Sequence, residues 1–520
     1  MKNKRYLGII FCFFILRVMA QEELSACLNN TNSLSFEQLE IMSPWLKLEN
    51  AAGFKQMPDL FPGMINVGID YQEGDFKLVF TGNSYENYKF GSKSYKKIKE
   101  TVVFGSFEYN KSYERSTDFN NVNNPNKNYP YMFADTIGKD TYDREFFNIT
   151  GVLSSPVNET IDWGLKFDYQ VGVAAQNRDP RPENKVTELS IAPGLLFKTA
   201  KLNTGLNFKY SYYNEDIDVD VVEENTQYTL FSLHGLGTST YHTASSFYRL
   251  YKQNDFGVGV QLEYNARKIK NITVSNLNYF TQIIDDGRKA SNASWSVVKN
   301  DAKLNGVDWN LANITTIKKE KSIHQLEIRV QQSAHIGMEY IQRLEQVGET
   351  DLEHWVTYAE EEKYYAEALD AKFNYSHIKL DKEGLINTLM KAGISTYEFS
   401  ENYYLPDLDQ AYLNLLMNVS FLKSFSSINH TLSVEARLNY KINLSKSQNM
   451  ETDNFIVTKI MQPNFKYTTG DYWSPGLSFT YEFQLKKLFN KYFIHADYDL
   501  FRDFIGHNRM IFNFSTGINL

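Results

Sequence analysis

The stretch TLSVEARLNYKINL, Thr431–Leu444, decides how the chain is read. Leu432, Val434, Ala436, Leu438, Tyr440, Ile442 and Leu444 occupy every second position, with Thr431, Ser433, Glu435, Arg437, Asn439, Lys441 and Asn443 between them. A period of two puts the first set on one face of an extended strand and the second on the other. Soluble sheet strands usually run about five or six residues. A tilted strand needs about 9–11 residues to cross a bilayer, and this one keeps an oily face for longer than that.

The pattern returns along the chain. Leu477, Phe479, Tyr481, Phe483 and Leu485 alternate with Ser478, Thr480, Glu482, Gln484 and Lys486. Phe256, Val258, Val260, Leu262 and Tyr264 alternate with Gly257, Gly259, Gln261, Glu263 and Asn265. Residues 161–173, 202–212, 325–330 and 413–421 behave likewise. Beyond residue 20 no apolar run reaches the roughly 18 residues of a membrane-spanning helix. Aromatic residues make up 15% of the chain, mostly 35 Tyr and 36 Phe, which favour half-buried strands. The fold expected is all-β: a single transmembrane antiparallel β-barrel of about 16 strands (14–18), apolar outside and polar within, with long extracellular loops.

The N-terminus supplies the export route. Lys2, Lys4 and Arg5 precede the apolar run LGIIFCFFIL, and VMA places cleavage between Ala20 and Gln21. Residues 1–20 are therefore expected to be a signal peptide, and a Gram-negative outer membrane the destination. Losing them removes four basic residues and no acid, moving the formal net charge from −8 to −12, which disfavours a nucleic-acid partner. Cys12 leaves with the signal and Cys27 remains alone, so an intramolecular disulfide is not expected.

The strand NRMIFNFSTGINL, Asn508–Leu520, is apolar at Phe512, Phe514, Ile518 and Leu520. It resembles the sorting strand that barrel assembly machinery reads, with Leu520 where Phe is usual. Run from outside to periplasm, it puts KKLFNK, KSFSSIN, DKEG and KKEK at the periplasmic end. The long connections, residues 113–142, 213–225, 285–304, 343–364 and 445–475, then fall outside. From Lys99 onward there are 18 spans if residues 226–252 cross twice, and 16 if they stay extracellular; both totals are even, as such barrels require. The barrel domain is assigned to residues 96–520. Residues 21–95 form an N-terminal segment in which INVGIDYQEGDFKLVF is a candidate short hairpin, either an appendage or one further strand pair.

SYKKIKETVVFGSFEYN, YPYMFADTIGKD, DWGLKFDYQVGVAAQNRDPRPENK and IAPGLLFK follow one another in an order that resembles an outer-membrane barrel family of unknown function found in Bacteroidota. RDPRPEN, Arg178–Asn184, is the most specific piece. The resemblance implies a barrel in the outer membrane and no established activity, with nutrient or metal uptake beside TonB-dependent receptors as the associated suspicion.

Three constellations stand out as sites. Asp216, Asp218 and Asp220, followed by Glu223 and Glu224, are expected to form an acidic extracellular mouth that attracts cations. Arg178 and Arg181, in a loop stiffened by Pro180 and Pro182, are candidates for a carboxylate or phosphate ligand. Glu435, Arg437, Lys441, Glu482, Lys486, His495, Asp497 and Asp499 share the lumen phase and predict a lattice of mixed charge. HExxH, GxSxG, a phosphate-binding glycine loop and paired cysteine ligands are all missing, so no catalytic residue, metal site or cofactor is assigned. The expected function is a channel or transport component for small solutes. Its expected partners are outer-membrane lipids, the assembly machinery and a TonB-dependent receptor or surface lipoprotein. The alternative is a non-conducting structural or assembly partner barrel.

Overall fold

The computed structural model describes residue 39, residues 43–56 and residues 62–520, apart from 139, 224, 245, 288–297, 347, 349–352, 382–384, 428, 451–453 and 486–489. The expected signal peptide, Cys27, Glu224 and Lys486 lie outside these residues. Among the described residues, 18 strands form one antiparallel sheet. Its first strand, Gly63–Gly74, pairs with its second, Ser84–Ile98, and with its last, Asn508–Asn519, so the sheet closes on itself. At the closing seam Ile65 stands opposite Ile518, Ile69 opposite Phe514 and Tyr71 opposite Phe512.

The count is 18, not about 16, and the barrel starts at Gly63, not at residue 96. Both differences come from the N-terminal segment. Its first half makes a strand as expected, but the return strand is Ser84–Ile98 rather than the residues that directly follow. Four lysines in SYENYKFGSKSYKKI make that strand look soluble, although Tyr88 and Phe90 point outward from it. Residues 226–252 do not cross twice. Tyr228–Gly235 lies between Thr238–Ala244 and Phe133–Asp135 and pairs with both in a separate three-stranded sheet, and Ser246–Asn265 alone joins the barrel.

The alternation places the two faces as the pattern requires. In Ser246–Asn265 the outward Phe256, Val258, Val260 and Leu262 are exposed, while Gln261 and Glu263 are buried inside. An exterior of this kind, repeated around a ring that closes on itself, matches hydrocarbon rather than water. Short turns such as Lys99–Glu100 and residues 319–321 sit at one end, and the longer excursions at the other. The strands Ser322–Gln346 and Glu353–Leu380, 25 and 28 residues long, exceed a bilayer crossing and project beyond it at the long-loop end.

Residues 43–56 occupy the lumen near the short-turn end. Two 3-10 turns, Pro44–Lys47 and Ala51–Gln56, fold Trp45 against Gly53, where a Cβ would lie 2.0 Å from the indole. Trp45 and Ala52 pack on Leu196, Ile272, Val274 and Ile314 of the wall. Asn50 Nδ2 donates to Leu195 O (3.0 Å) and Gln261 Oε1 (2.7 Å), fixing the segment across several strands. The wall makes room with glycine: a Cβ at Gly164 would meet Ala52 N at 2.3 Å, and one at Gly194 would meet Asn50 Oδ1 at 2.1 Å.

Gly164→Val should therefore expel this segment while leaving the ring intact, because the clash is with backbone that cannot rotate away. The expected result is faster protease cleavage within residues 43–56, with heat-modifiable gel migration of the barrel unchanged. Unchanged protection would show that the segment is not seated at Gly164.

Candidate functional site: the capped lumen

The mouth at the long-loop end is filled by the chain itself. The excursion after Thr117, the three-stranded sheet and the helical stretch Val457–Thr468 share one apolar cluster. Tyr131, Met132, Phe133 and Ala134 are fully buried in it, with Leu230, Phe231 and Leu233 from the small sheet and Ile456 and Ile460 beside the helix. The wall contributes Tyr213, Ile217, Tyr251, Tyr364 and Tyr403.

Three buried charged groups pin this cap to the wall. Glu215, with no exposed surface, accepts four hydrogen bonds. Asn123 N (2.6 Å) and Asn184 Nδ2 (2.8 Å) donate to Oε1; Asn128 Nδ2 (2.6 Å) and Tyr213 OH (2.5 Å) donate to Oε2. Glu401 accepts from Tyr129 OH (2.9 Å), Tyr364 OH (2.6 Å) and Gln410. Arg249, also fully buried, forks onto Asp286 through Nε (2.7 Å) and Nη2 (2.9 Å). Its Nη2 also reaches Asp301 (2.6 Å) and Ser232 Oγ (2.6 Å), and its guanidinium lies 5.4 Å from the Phe133 ring. Dense donors replace the water that each carboxylate loses on burial, and two carboxylates neutralise the arginine. The cap thus depends on a few charged groups that must be satisfied together.

Two histidines lie in the small sheet. Burial, reinforced by the neighbouring Arg249 guanidinium, pushes the His242 imidazole down from 6.5 to about 4. Burial also opposes charge on His234, but Glu339, 3.2 Å from Nδ1, and Asp301 hold it above its usual value.

The expected site residues fall into three groups. Asp216, Asp218 and Asp220 do not line the mouth. In the strand Leu202–Asp220 the odd positions Tyr213, Glu215, Ile217 and Val219 are buried against the cap, so the even ones face away from the barrel. Their cross-strand neighbours are Lys185, Glu183 and Arg181. The expectation of an acidic mouth is corrected accordingly: the acids stand on the outer wall, and the cap fills the place they were to line. Glu223 belongs to the loop, where its carboxylate accepts from Tyr228 OH at 3.0 Å.

Arg178 and Arg181 are engaged within the protein, Arg178 by the excursion after Thr117 and Arg181 by its own loop. Arg178 Nη2 donates to Gly138 O (2.6 Å), and Arg181 Nε lies 2.7 Å from Asp179 Oδ1. Asp179 also accepts from the backbone N–H groups of Val222 and Glu223, which ties the two loops together.

Of the lumen set, Arg437 gathers three acids: Asp497 at 2.5 Å, Asp499 at 2.9 Å and Glu435 at 3.8 Å. Lys441 turns instead to Thr468 O at the end of the helical stretch. Glu482 and His495 line a separate cavity of about 510 Å³ near the short-turn end, with Lys93, Lys491, Ser433 and Leu422. There His495 Nδ1 sits 2.8 Å from Thr480 Oγ1. Sequence reasoning missed Glu215, Arg249 and Glu401. The signal available was phase: Glu215 and Arg249 share the inward parity of Tyr213 and Tyr251.

Arg249→Leu should cost about 3–5 kcal/mol in cap stability, because Asp286 would remain buried without its forked cation and Asp301 would be left with Lys299 at 3.7 Å. Limited proteolysis within residues 118–139 would report it as faster cleavage, and equal rates would contradict the pinning role. For pH, the folded His242 favours the neutral form, so its contribution is complete above 6.5 and is lost as pH falls toward about 4. His234, held above its usual value, contributes a term that is already complete below 6.5 and adds no opposing slope there. As pH falls across that window, hydrogen-exchange protection of residues 228–244 should therefore fall less in His242→Gln than in the wild type, and equal pH profiles would contradict the role of His242.

No curated protein matches the chain in sequence. Solved structures similar to it include the RagAB peptide transporter, at 6% identity and TM-score 0.42, covering 85% of this chain and 73% of that one. The copper transporter OprC follows at 7% identity and TM-score 0.36, covering 88% and 81%. The ferric-catecholate import receptor Fiu from K12 E. coli has 8% identity and TM-score 0.38, covering 89% and 82%. Residues 51–520 match a family of unknown function (DUF6850), and the chain belongs to that family.

Proposed function

We propose that this protein is an outer-membrane barrel for solute transport that rests in a closed state. The observation that carries the reading is the cap: a hydrophobic cluster fills the outer mouth and hangs on Glu215, Glu401 and Arg249, while a cavity of about 510 Å³ remains below it near the opposite end. A permanently open channel does not need an apolar plug with buried charges, which cost stability unless every partner is in place. A barrel that opens on demand does, because a few coupled side chains can switch the whole obstruction. A volume of that size suits a small polar solute. Release of the cap is work for a partner, in this reading a TonB-driven receptor or a surface lipoprotein to which the barrel is accessory. It assigns no catalytic step to the chain.

The second reading is a non-conducting structural or assembly partner, and residues 43–56 favour it by filling the lumen at the other end.

Planar-bilayer recording separates the two. Wild-type protein should be silent, and a variant with residues 120–138 replaced by a short Gly-Ser linker should pass steady current. Conduction by the wild type would overturn the closed state. Silence of the linker variant, shown folded by heat-modifiable migration, would favour the structural partner.

A further inference from the structure

The outer wall carries a second feature that the transport reading does not use. At the short-turn end, Lys379, Thr388 and Lys423 stand opposite one another on three consecutive strands, in one row. The next row on the same face is His324, His377, Met390, Phe421 and Ala436. The wall parity is unambiguous. Ile378, between His377 and Lys379, is buried inside, whereas Met390, Val419 and Phe421 are among the exposed apolar residues of the exterior.

The second row borders a shallow groove of about 740 Å³ that rises from the histidines into the apolar belt, and the lysine row lies just below it. Its floor is low because Ala392 and Ala436 stand opposite Val419 and Phe421 of the strand between them. Its lower end is polar. His324 Nδ1 lies 2.8 Å from Tyr375 OH, and the His324 and His377 rings are 4.6 Å apart. Lys423 Nζ is held 2.6 Å from Asn387 Oδ1, with Thr388 Oγ1 at 3.4 Å, so its charge stays on this face. Strands in a sheet are about 4.8 Å apart, which puts Lys379 and Lys423 about 10 Å from each other with the Thr388 hydroxyl between them. Lys319, in the adjoining turn, adds a third exposed cation. Asp381, in the next turn, accepts the Leu385 N–H at 2.9 Å.

We propose that this face is a binding site for one phospholipid of the leaflet at the short-turn end. The phosphate sits between Lys379 and Lys423, with the Thr388 hydroxyl and the His377 imidazole as further donors. One acyl chain lies in the groove over Ala392 and Ala436. The charge complementarity commits the site to an anionic phosphate, and the apolar groove directly above commits it to one that carries a hydrocarbon chain. A wall that merely tolerates lipid has no reason to align two lysines and two histidines beneath a trough of small residues. Juxtamembrane cations attract lipid phosphate at the interface, and shape adds selectivity for a single molecule.

Native mass spectrometry of the full chain in detergent tests this, with phosphatidylethanolamine as the probe, diacylglycerol as the phosphate-free control and inorganic phosphate as the chain-free competitor. Wild type should retain one phosphatidylethanolamine and release diacylglycerol. Lys379→Gln combined with Lys423→Gln should lower retention by about thirtyfold, the scale of removing two interfacial cations. Ala436→Trp, which fills the trough and leaves every polar group in place, should lower it comparably. Heat-modifiable migration identifies any variant that has not folded. Equal retention of diacylglycerol, complete displacement by inorganic phosphate, or unchanged retention in both folded variants would each overturn the proposal.

Discussion

Every part of this molecule depends on one constraint: a backbone placed in hydrocarbon must pair all its donors and acceptors within the protein. Each unpaired group there costs several kcal/mol, so a sheet cannot keep an edge. The first and last strands meet that demand from Met64 opposite Asn519 to Gly74 opposite Arg509, and the Leu520 N–H donates to Gly63 O at 2.8 Å. Closure fixes a lumen, and the lumen is what residues 43–56 and the cap then occupy.

The two fillings obey different physics. The N-terminal segment is held by shape, with glycine in the wall where its backbone approaches and an asparagine bonded to several strands. The cap is held by shape and by charge. Among the described residues Glu215 and Glu401 have no cation paired with them and are held by hydrogen bonds, whereas Arg249 is matched by two carboxylates. Such groups contribute little when compared with an apolar replacement, but removing one partner is expensive. That asymmetry makes the cap stiff against small perturbations and sensitive to the loss of any single anchor.

How much was legible follows from which physical signal each region carries. Phe256–Asn265 reads directly, because one face meets lipid and the other does not. Ser84–Ile98 hides behind its lysines, since Lys89 and Lys93 point into the lumen and look from the sequence like a solvated face. Tyr228–Gly235 alternates poorly because both of its faces are covered in the cap, and Leu230, Phe231 and Leu233 are all buried. The acidic run Glu215–Asp220 shows the limit most clearly. One residue of phase separates Glu215, sealed in the mouth, from Asp216 on the outer wall, and only the partner strands fix that phase.

The seam has a consequence for how the barrel comes together. Asn508 N donates to Asp75 Oδ1 across 433 positions of sequence, and nearly the whole ring lies between them. Loop-closure entropy grows only logarithmically with such a separation, so length alone is a mild obstacle. Register is the severe one. Displacing a middle strand by two residues keeps its oily side outward but offsets every later strand, and the two ends then pass each other out of step. Closure therefore acts as a checksum on the pairing of all the strands before it, passing only a chain in which each is correctly aligned.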